Sequence, residues 1–384
     1  FPAGISLSGY LQTQYESHAD SEDQLDPRGD TLNRDFFRVP RARLRLLGDW
    51  GIAGAHLELN GGTGPRGHFL DLYRAEGILR YRPAPDAAPI VEASLGLMKI
   101  PFGYELVESS SRRPFMERSL VVRSLFPVTT DIGVRVGGNL GPFHWTFAAM
   151  NGTQPGFLGV DPNESKDLLV RVGFDTRAGS VFRFSGDVSV LQGWGFHAGS
   201  PATKPRLEWR DLNEDGVVQP FEMVGVPGRA STPSANFHRW AVGADAQIEI
   251  DTPLGATRLL GEIILAQNLD RHLFQNDPEV TGLDARQFGF YAGIVQEFGD
   301  HVFAGFRYDS YDPDANVFDN RGGKLVPRSM RIQTFAPVVG LVLPERARLS
   351  FQYDFVQDNF ARDGAGIPTD GANDGWTLRL QVEY

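Results

Sequence analysis

"PRARLRLLGDWGIAGAHLELN", residues 40–60, alternates apolar and polar side chains twice over. Ala42, Leu44 and Leu46 stand opposite Arg41, Arg43 and Arg45, and beyond a short "GD" Ala55, Leu57 and Leu59 stand opposite His56, Glu58 and Asn60. Successive side chains of a strand point to opposite faces, so each run reads as a strand with one apolar face and one charged face. Alternation of this kind serves a soluble sandwich as well as a membrane barrel, and the rest of the chain has to decide between them.

The same period recurs from end to end. In "GISLSGYLQTQYES", Ile5, Leu7, Gly9 and Leu11 oppose Ser6, Ser8, Tyr10 and Gln12. Sixteen candidate strands lie near residues 4–17, 36–48, 50–60, 68–82, 89–99, 130–138, 142–151, 166–176, 180–192, 236–250, 255–267, 285–298, 300–310, 328–343, 346–357 and 375–384. Many reach the ~9–11 residues that a tilted membrane strand needs, beyond the ~5–6 usual in globular sheets. Between them, short turns such as "NLGP" and "DTPLG" alternate with long polar gaps such as "SHADSEDQLDPRGDTLNRD". That rhythm predicts an all-β fold: a 16-stranded antiparallel transmembrane β-barrel with short periplasmic turns and long extracellular loops. An even strand number puts both ends of the chain on the periplasmic side. The last strand, "GWTLRLQVEY", ends on the aromatic Tyr384, as barrel strands commonly do.

Composition agrees. The 384 residues carry no linker-like break and read as one domain, 1–384, and no window holds the ~20 consecutive apolar residues of a spanning helix. High glycine with 11% aromatics suits strands, turns and aromatic girdles. Zero cysteines exclude a disulfide scaffold and a thiolate metal site. A net charge of −11 argues against nucleic-acid binding. Phe1 and the lack of a basic-then-apolar leader are what a processed, exported chain is expected to have.

"LGLMKIPFGYELVESSSRRPFMERSLVVRSLFPVTTDIGVRVGG", residues 95–138, resembles the central block of the phosphate-selective porin O and P family. The resemblance rests on Lys99, Pro101, Phe102, Gly103, Glu105, Phe115, Glu117, Arg118, Ser119, Asp131, Gly133 and Val134, on "AAMNG" ending at Gly152, and upstream on "DFFRVPRARLRLLGD". It covers roughly residues 35–152 and implies a trimeric outer-membrane channel for phosphate or related anions. Residues 100–129 fall where porins commonly fold a loop inward as a constriction. In the family a funnel of arginines and lysines feeds the pore; here only Lys99, Lys166, Lys204 and Lys324 are lysines among 37 basic residues.

On this reading Arg41, Arg43 and Arg45 line the pore, because a charge facing lipid at mid-membrane costs about 2–4 kcal/mol. They either hand anions from one guanidinium to the next or brace the wall against Glu58, Asp71 and Glu76, and the two roles can coexist. Within the inward loop, Arg112, Arg113, Arg118 and Arg123 accompany Glu105, Glu108 and Glu117. Glutamates held in loop hydrogen bonds leave the arginines dominant; free glutamates create a transverse field suited to general diffusion.

The long extracellular loop 193–235 holds "DLNEDGVVQPFE", residues 211–222, which fits the twelve-residue calcium pattern at every fixed position. Asp211, Asn213, Asp215, Val217 (by its carbonyl), Gln219 (through water) and Glu222 are the expected ligands of a structural calcium, with Gly216 making the sharp turn. The plain alternative is an Asx-turn surface.

Eight scattered histidines form no H-E-x-x-H, and "GPRGHFLD" lacks the lysine of a phosphate loop, so no catalytic site is expected. The expected function is passive diffusion of small solutes, anions such as phosphate, through an arginine-lined pore across the bacterial outer membrane, with outer-membrane lipid, lipopolysaccharide and a homotrimer as partners and no nucleic acid. The rivals are a structural or docking barrel for another envelope component and a secreted all-β carbohydrate-active protein.

Overall fold

Sixteen antiparallel strands pair in sequence order, and the first also pairs with the last, from Tyr10 opposite Glu383 to His18 opposite Gly375, so the sheet has no free edge. The computed structural model describes residues 4–384 except 26–28, 30, 65–66, 85–86, 153–160, 214–215, 317, 322, 328–329, 345, 360 and 362–368. The wall opens with β1 Ile5–His18, β2 Phe36–Trp50, β3 Ala53–Gly64, β4 Gly67–Tyr81 and β5 Val91–Lys99. It continues through β6 Thr130–Leu140, β7 Phe143–Met150, β8 Asp167–Ala178 and β9 Phe182–His197. A separate hairpin follows in the extracellular loop, β10 Arg206–Trp209 against β11 Met223–Val226. The wall resumes with β12 Ala235–Thr252, β13 Gly255–Gln267, β14 Arg286–Phe298 and β15 Val302–Asp312. A second hairpin, β16 Phe318–Arg321 and β17 Lys324–Pro327, precedes β18 Ile332–Leu343, β19 Ala347–Asp358 and β20 Gly375–Glu383.

The register carries the alternation from strand to strand. Leu7 pairs with Leu46, and Leu46 with Leu57, on the outer face; Gln12 pairs with Arg41, and Arg45 with Glu58, on the inner one. Leu7, Leu11, Leu44 and Leu57 are exposed, whereas Gln12, Gln14, Arg43, Glu58 and Glu76 are buried. A lipid surface outside and a polar interior invert the soluble pattern, and the closed ladder satisfies the backbone groups that hydrocarbon cannot.

Two connections differ from the rhythm read in the sequence. The first turn sits at Gly51–Ile52 rather than at "GD", because pairing runs on to Trp50 opposite Ala53 and Gly51 takes the positive φ (82°) the turn needs. The gap expected at "GGTGPRG" is mostly strand: Gly61, Gly62 and Thr63 pair with Leu70, Phe69 and His68.

Candidate functional site

The segment between β5 and β6 enters the barrel because it carries more apolar side chains than an exposed loop can tolerate. Two short helices, α1 Tyr104–Val107 and α2 Leu120–Leu125, present Leu106, Val121, Val122 and Leu125, joined by Phe102 and Phe126. These pack on inward Met150, Leu169, Leu191, Ala241, Ile264 and Tyr311, forming a dry core inside one side of the lumen. Phe115 makes a second contact with Val295, Phe303 and Val338. At about 1.5–3 kcal/mol per large side chain buried, this packing anchors the loop. Gly103 lets it turn: its φ is 58°, and an added Cβ would lie 1.8 Å from Glu262 Oε1.

On the opposite side the loop is held by charge. Glu117 accepts from Arg41 Nη1 and Nη2 (3.1 and 2.5 Å) and from Arg379 Nη2 (2.9 Å). Arg379 Nη1 also donates to the Met116 carbonyl at 2.6 Å, and Arg307 Nη1 to the Glu117 carbonyl at 2.8 Å. Glu105 accepts from Ser119 N and Oγ, both at 2.7 Å, and from Arg307 Nη1 at 3.2 Å, while Arg118 Nε donates to its carbonyl. Hydrogen bonds from Tyr10, Gln12 and Gln381 to Ser110 and Ser111 close the seam against β1 and β20. Burial pushes the Glu117 carboxyl up, but Arg41 and Arg379 outweigh it and hold the group well below the usual carboxylate range.

Carboxylates are thus shared. Glu58 takes Arg43 Nη1 and Arg45 Nε, each at 3.1 Å, and Glu76 takes Arg74 and Arg135. Glu117 takes Arg41 and Arg379. Each of the three carries one negative charge against two guanidiniums. Arg43 also lies 3.6 Å from the Tyr73 ring centroid. Arg113 is buried beside Arg118, Arg41, Glu117 and Glu105, and among the described residues none of its three side-chain nitrogens has a hydrogen-bond partner.

The loop divides the interior. Toward the periplasm lies a vestibule of about 610 Å³ faced by Arg43, Arg45, Arg74, Lys99, Arg112 and Arg171, with Glu108 and Glu383. Lys99 Nζ donates to the carbonyls of Val107 and Glu108. Toward the exterior a hollow of about 260 Å³ mixes Arg38, Arg123 and Arg307 with Glu16, Asp309 and Asp354. Arg41, Arg43 and Arg45 therefore descend from the constriction into the vestibule, Arg112 faces below, and Arg123 faces above.

A closed sixteen-strand barrel with an inward loop and a basic vestibule can be set beside known proteins. Residues 11–174, from β1 into β8, match the family model of the phosphate-selective porin O and P. The chain has the closed-barrel fold of outer-membrane porins. An anion-selective porin from Comamonas acidovorans has the same fold, with a TM-score of 0.59, 13% identity and 99% of each chain covered. OmpT of Vibrio cholerae in its trimer form gives 0.58 at 9% identity, again over 99% of each chain. The outer membrane channel DcaP of Acinetobacter baumannii gives 0.58 at 11% identity, over 100% of this chain and 99% of that one. No curated protein matches the sequence.

Several members of the barrel's polar network were not singled out from the sequence. Arg307 and Arg379 meet the loop from β15 and β20, some 190 to 263 residues along the chain. Arg379 had a signal: it alternates with outward Leu378 and Leu380 in "GWTLRLQVEY".

The calcium-pattern segment is framed by the β10–β11 hairpin and a 3₁₀ turn, Pro220–Glu222, rather than by long helices. Gly216 N donates to Asp211 Oδ2 at 2.8 Å, and Glu222, fully buried, accepts from Trp209 Nε1 and from Leu212 N across the loop. Asp215 lies outside the described residues, and among those described no three acidic or histidine side chains gather as a metal cluster.

Proposed function

We propose that this porin passes small anions, phosphate among them, along the face formed by Arg41, Arg43, Arg45 and Arg112, with Arg113 adding its charge from within the loop. The observation that carries the reading is the sharing of carboxylates: Glu58, Glu76 and Glu117 each serve two arginines, so each cluster keeps a positive surplus even though its arginines brace the wall. Buried Arg113 adds a cation inside the inward loop with no hydrogen-bond partner among the described residues. In a confined space of low dielectric such a surplus attracts anions, and guanidiniums spaced along the path let an ion leave each site for the next. The test is the reversal potential of the purified porin in a planar bilayer under a KCl gradient, with and without phosphate.

Two further parts belong to the proposal. The porin works as a homotrimer whose subunits meet through the arc around β3, β5 and β6. None of these strands contains Phe, Tyr or Trp, and β4 between them exposes an aromatic only at Tyr81, near its periplasmic end, whereas outward aromatics such as Phe147, Phe184 and Phe306 stand elsewhere on the wall where lipid is expected. Residues 211–222 bind a structural calcium, supported by the residue spacing and by the Asp211–Gly216 contact that wraps the segment. Calcium titration of the folded porin checks the latter: wild type should bind one ion per chain and Glu222→Gln should lose it, while a wild type that binds none would refute it.

A further inference from the structure

On the lipid side of β12, β13 and β14 the register sets outward residues in rows. Trp240, Gln267 and Arg286 form the outermost row of the three strands, and Ala246, Gly261 and Ala292 form one nearer the bilayer middle. Because the latter row is made of small residues, it leaves a shallow depression of about 590 Å³ whose rims are Ile248, Leu259, Ile263 and Phe290. Six residues separate Arg286 from Ala292, about 20 Å along a strand and about 15 Å in depth after the usual barrel tilt. A groove at that depth faces the acyl chains of the outer leaflet.

Above it Arg286 is exposed, its guanidinium 5.8 Å from the Trp240 ring centroid, with Nη2 3.4 Å from Gln267 Oε1. It forms no ion pair among the described residues. Asp312, opposite Phe288 on β15, accepts from the backbone of Asp314. A cation over an indole at the extracellular end of the wall is suited to a lipid phosphate, and the groove below it to that lipid's chain.

We infer that this face binds one molecule of lipopolysaccharide through its lipid A moiety, with a phosphate on Arg286 and an acyl chain in the groove centred on Gly261. Lipid rather than a neighbouring subunit is the occupant because this arc carries Trp240 in its outermost row and outward Phe288, Phe290, Tyr308 and Phe306 at increasing depth below it, the aromatic-rich surface of a lipid-facing wall. The charge at the head of the groove complements the phosphate, and the apolar groove complements the chain.

The experiment mixes detergent-solubilised porin with diphosphoryl lipid A and reads the bound fraction by native mass spectrometry. Wild type should retain one lipid A per chain above the background set by dephosphorylated lipid A. Arg286→Gln should weaken retention about fivefold, the worth of one interfacial cation. Ala292→Leu, which fills the groove, should weaken it to a similar degree, and Ala93→Leu on β5, in the aromatic-poor arc, should leave it unchanged. Folding of each variant is checked by the heat-dependent gel shift of a closed barrel. Equal retention by all four proteins overturns the inference. So does an Ala292→Leu porin that changes its oligomeric state while still holding lipid A, since the groove is then a subunit contact.

Discussion

Arginine, not lysine, does the work at the constriction because one guanidinium can grip two things at once. Arg379 bonds Gln14, Met116 and Glu117, and Arg41 spans Gln12 and Glu117. Replacing Glu117 by Gln leaves Arg41 and Arg379 facing each other across a weakened seam. With the carboxylate about a quarter exposed, the loss should be about 2–3 kcal/mol of loop anchoring, the lower end for a broken buried pair. Single-channel recordings should then show noisier open states together with a higher anion-to-cation ratio. Records from Glu117→Gln as quiet as those of wild type would contradict the latch. The pH dependence follows in sign. Burial raises the Glu117 carboxyl but the arginines pull it well below the ordinary value of 4.5, so the latch is complete above that value and is lost only as pH falls through the lower one. Current noise should stay flat from about pH 8 to about pH 5 and rise only in stronger acid. A rise beginning near neutrality would assign the latch to another group.

Among the elements, the inward loop depends most on one backbone position. Gly103 combines φ 58° with ψ 177°, a region open to glycine alone, and its missing Cβ makes room for Glu262. Gly103→Ala should undock the loop at a cost of at least about 1–3 kcal/mol while the barrel stays closed. Limited proteolysis in detergent reads this as faster cleavage between residues 100 and 129, with the heat-dependent gel shift retained; wild-type resistance would mean that the turn does not hold the loop. The wall strands were legible in the sequence because alternation plus length leaves few alternatives, as in 40–60. What lies inside the barrel was harder to read. Leu168–Leu169–Val170 and Ile263–Ile264–Leu265 are apolar on both faces, which a two-sided strand in lipid and water does not require. Their inner members, Leu169 and Ile264, are the floor on which α2 rests. The extra hairpins gave little signal, since four-residue strands fall below the span over which a period can be counted.

For the whole molecule, the dry core and the polar latch divide the lumen into unequal sides. Apolar packing of the loop on β7–β9 and β12–β15 fills one side; below the loop the open space lies along β1–β4, where the arginines of β2 and β4 face inward, and above it along β1, β2, β15 and β18–β20. The path is therefore set by where the loop is greasy, and its polarity by how many arginines share each glutamate. Contacts of Arg41 and Arg379 with Glu117 could not be read from sequence because they join strands distant along the chain. The alternation that turns both arginines inward could be read.

The reversal potential under a KCl gradient, recorded for wild type and Arg113→Gln, bears on all of this. A chloride-favouring potential that phosphate reduces by block, and that shrinks in Arg113→Gln, is the expected result. A potential near zero or favouring potassium would contradict it: the barrel would stand, but the shared carboxylates would not make it an anion channel.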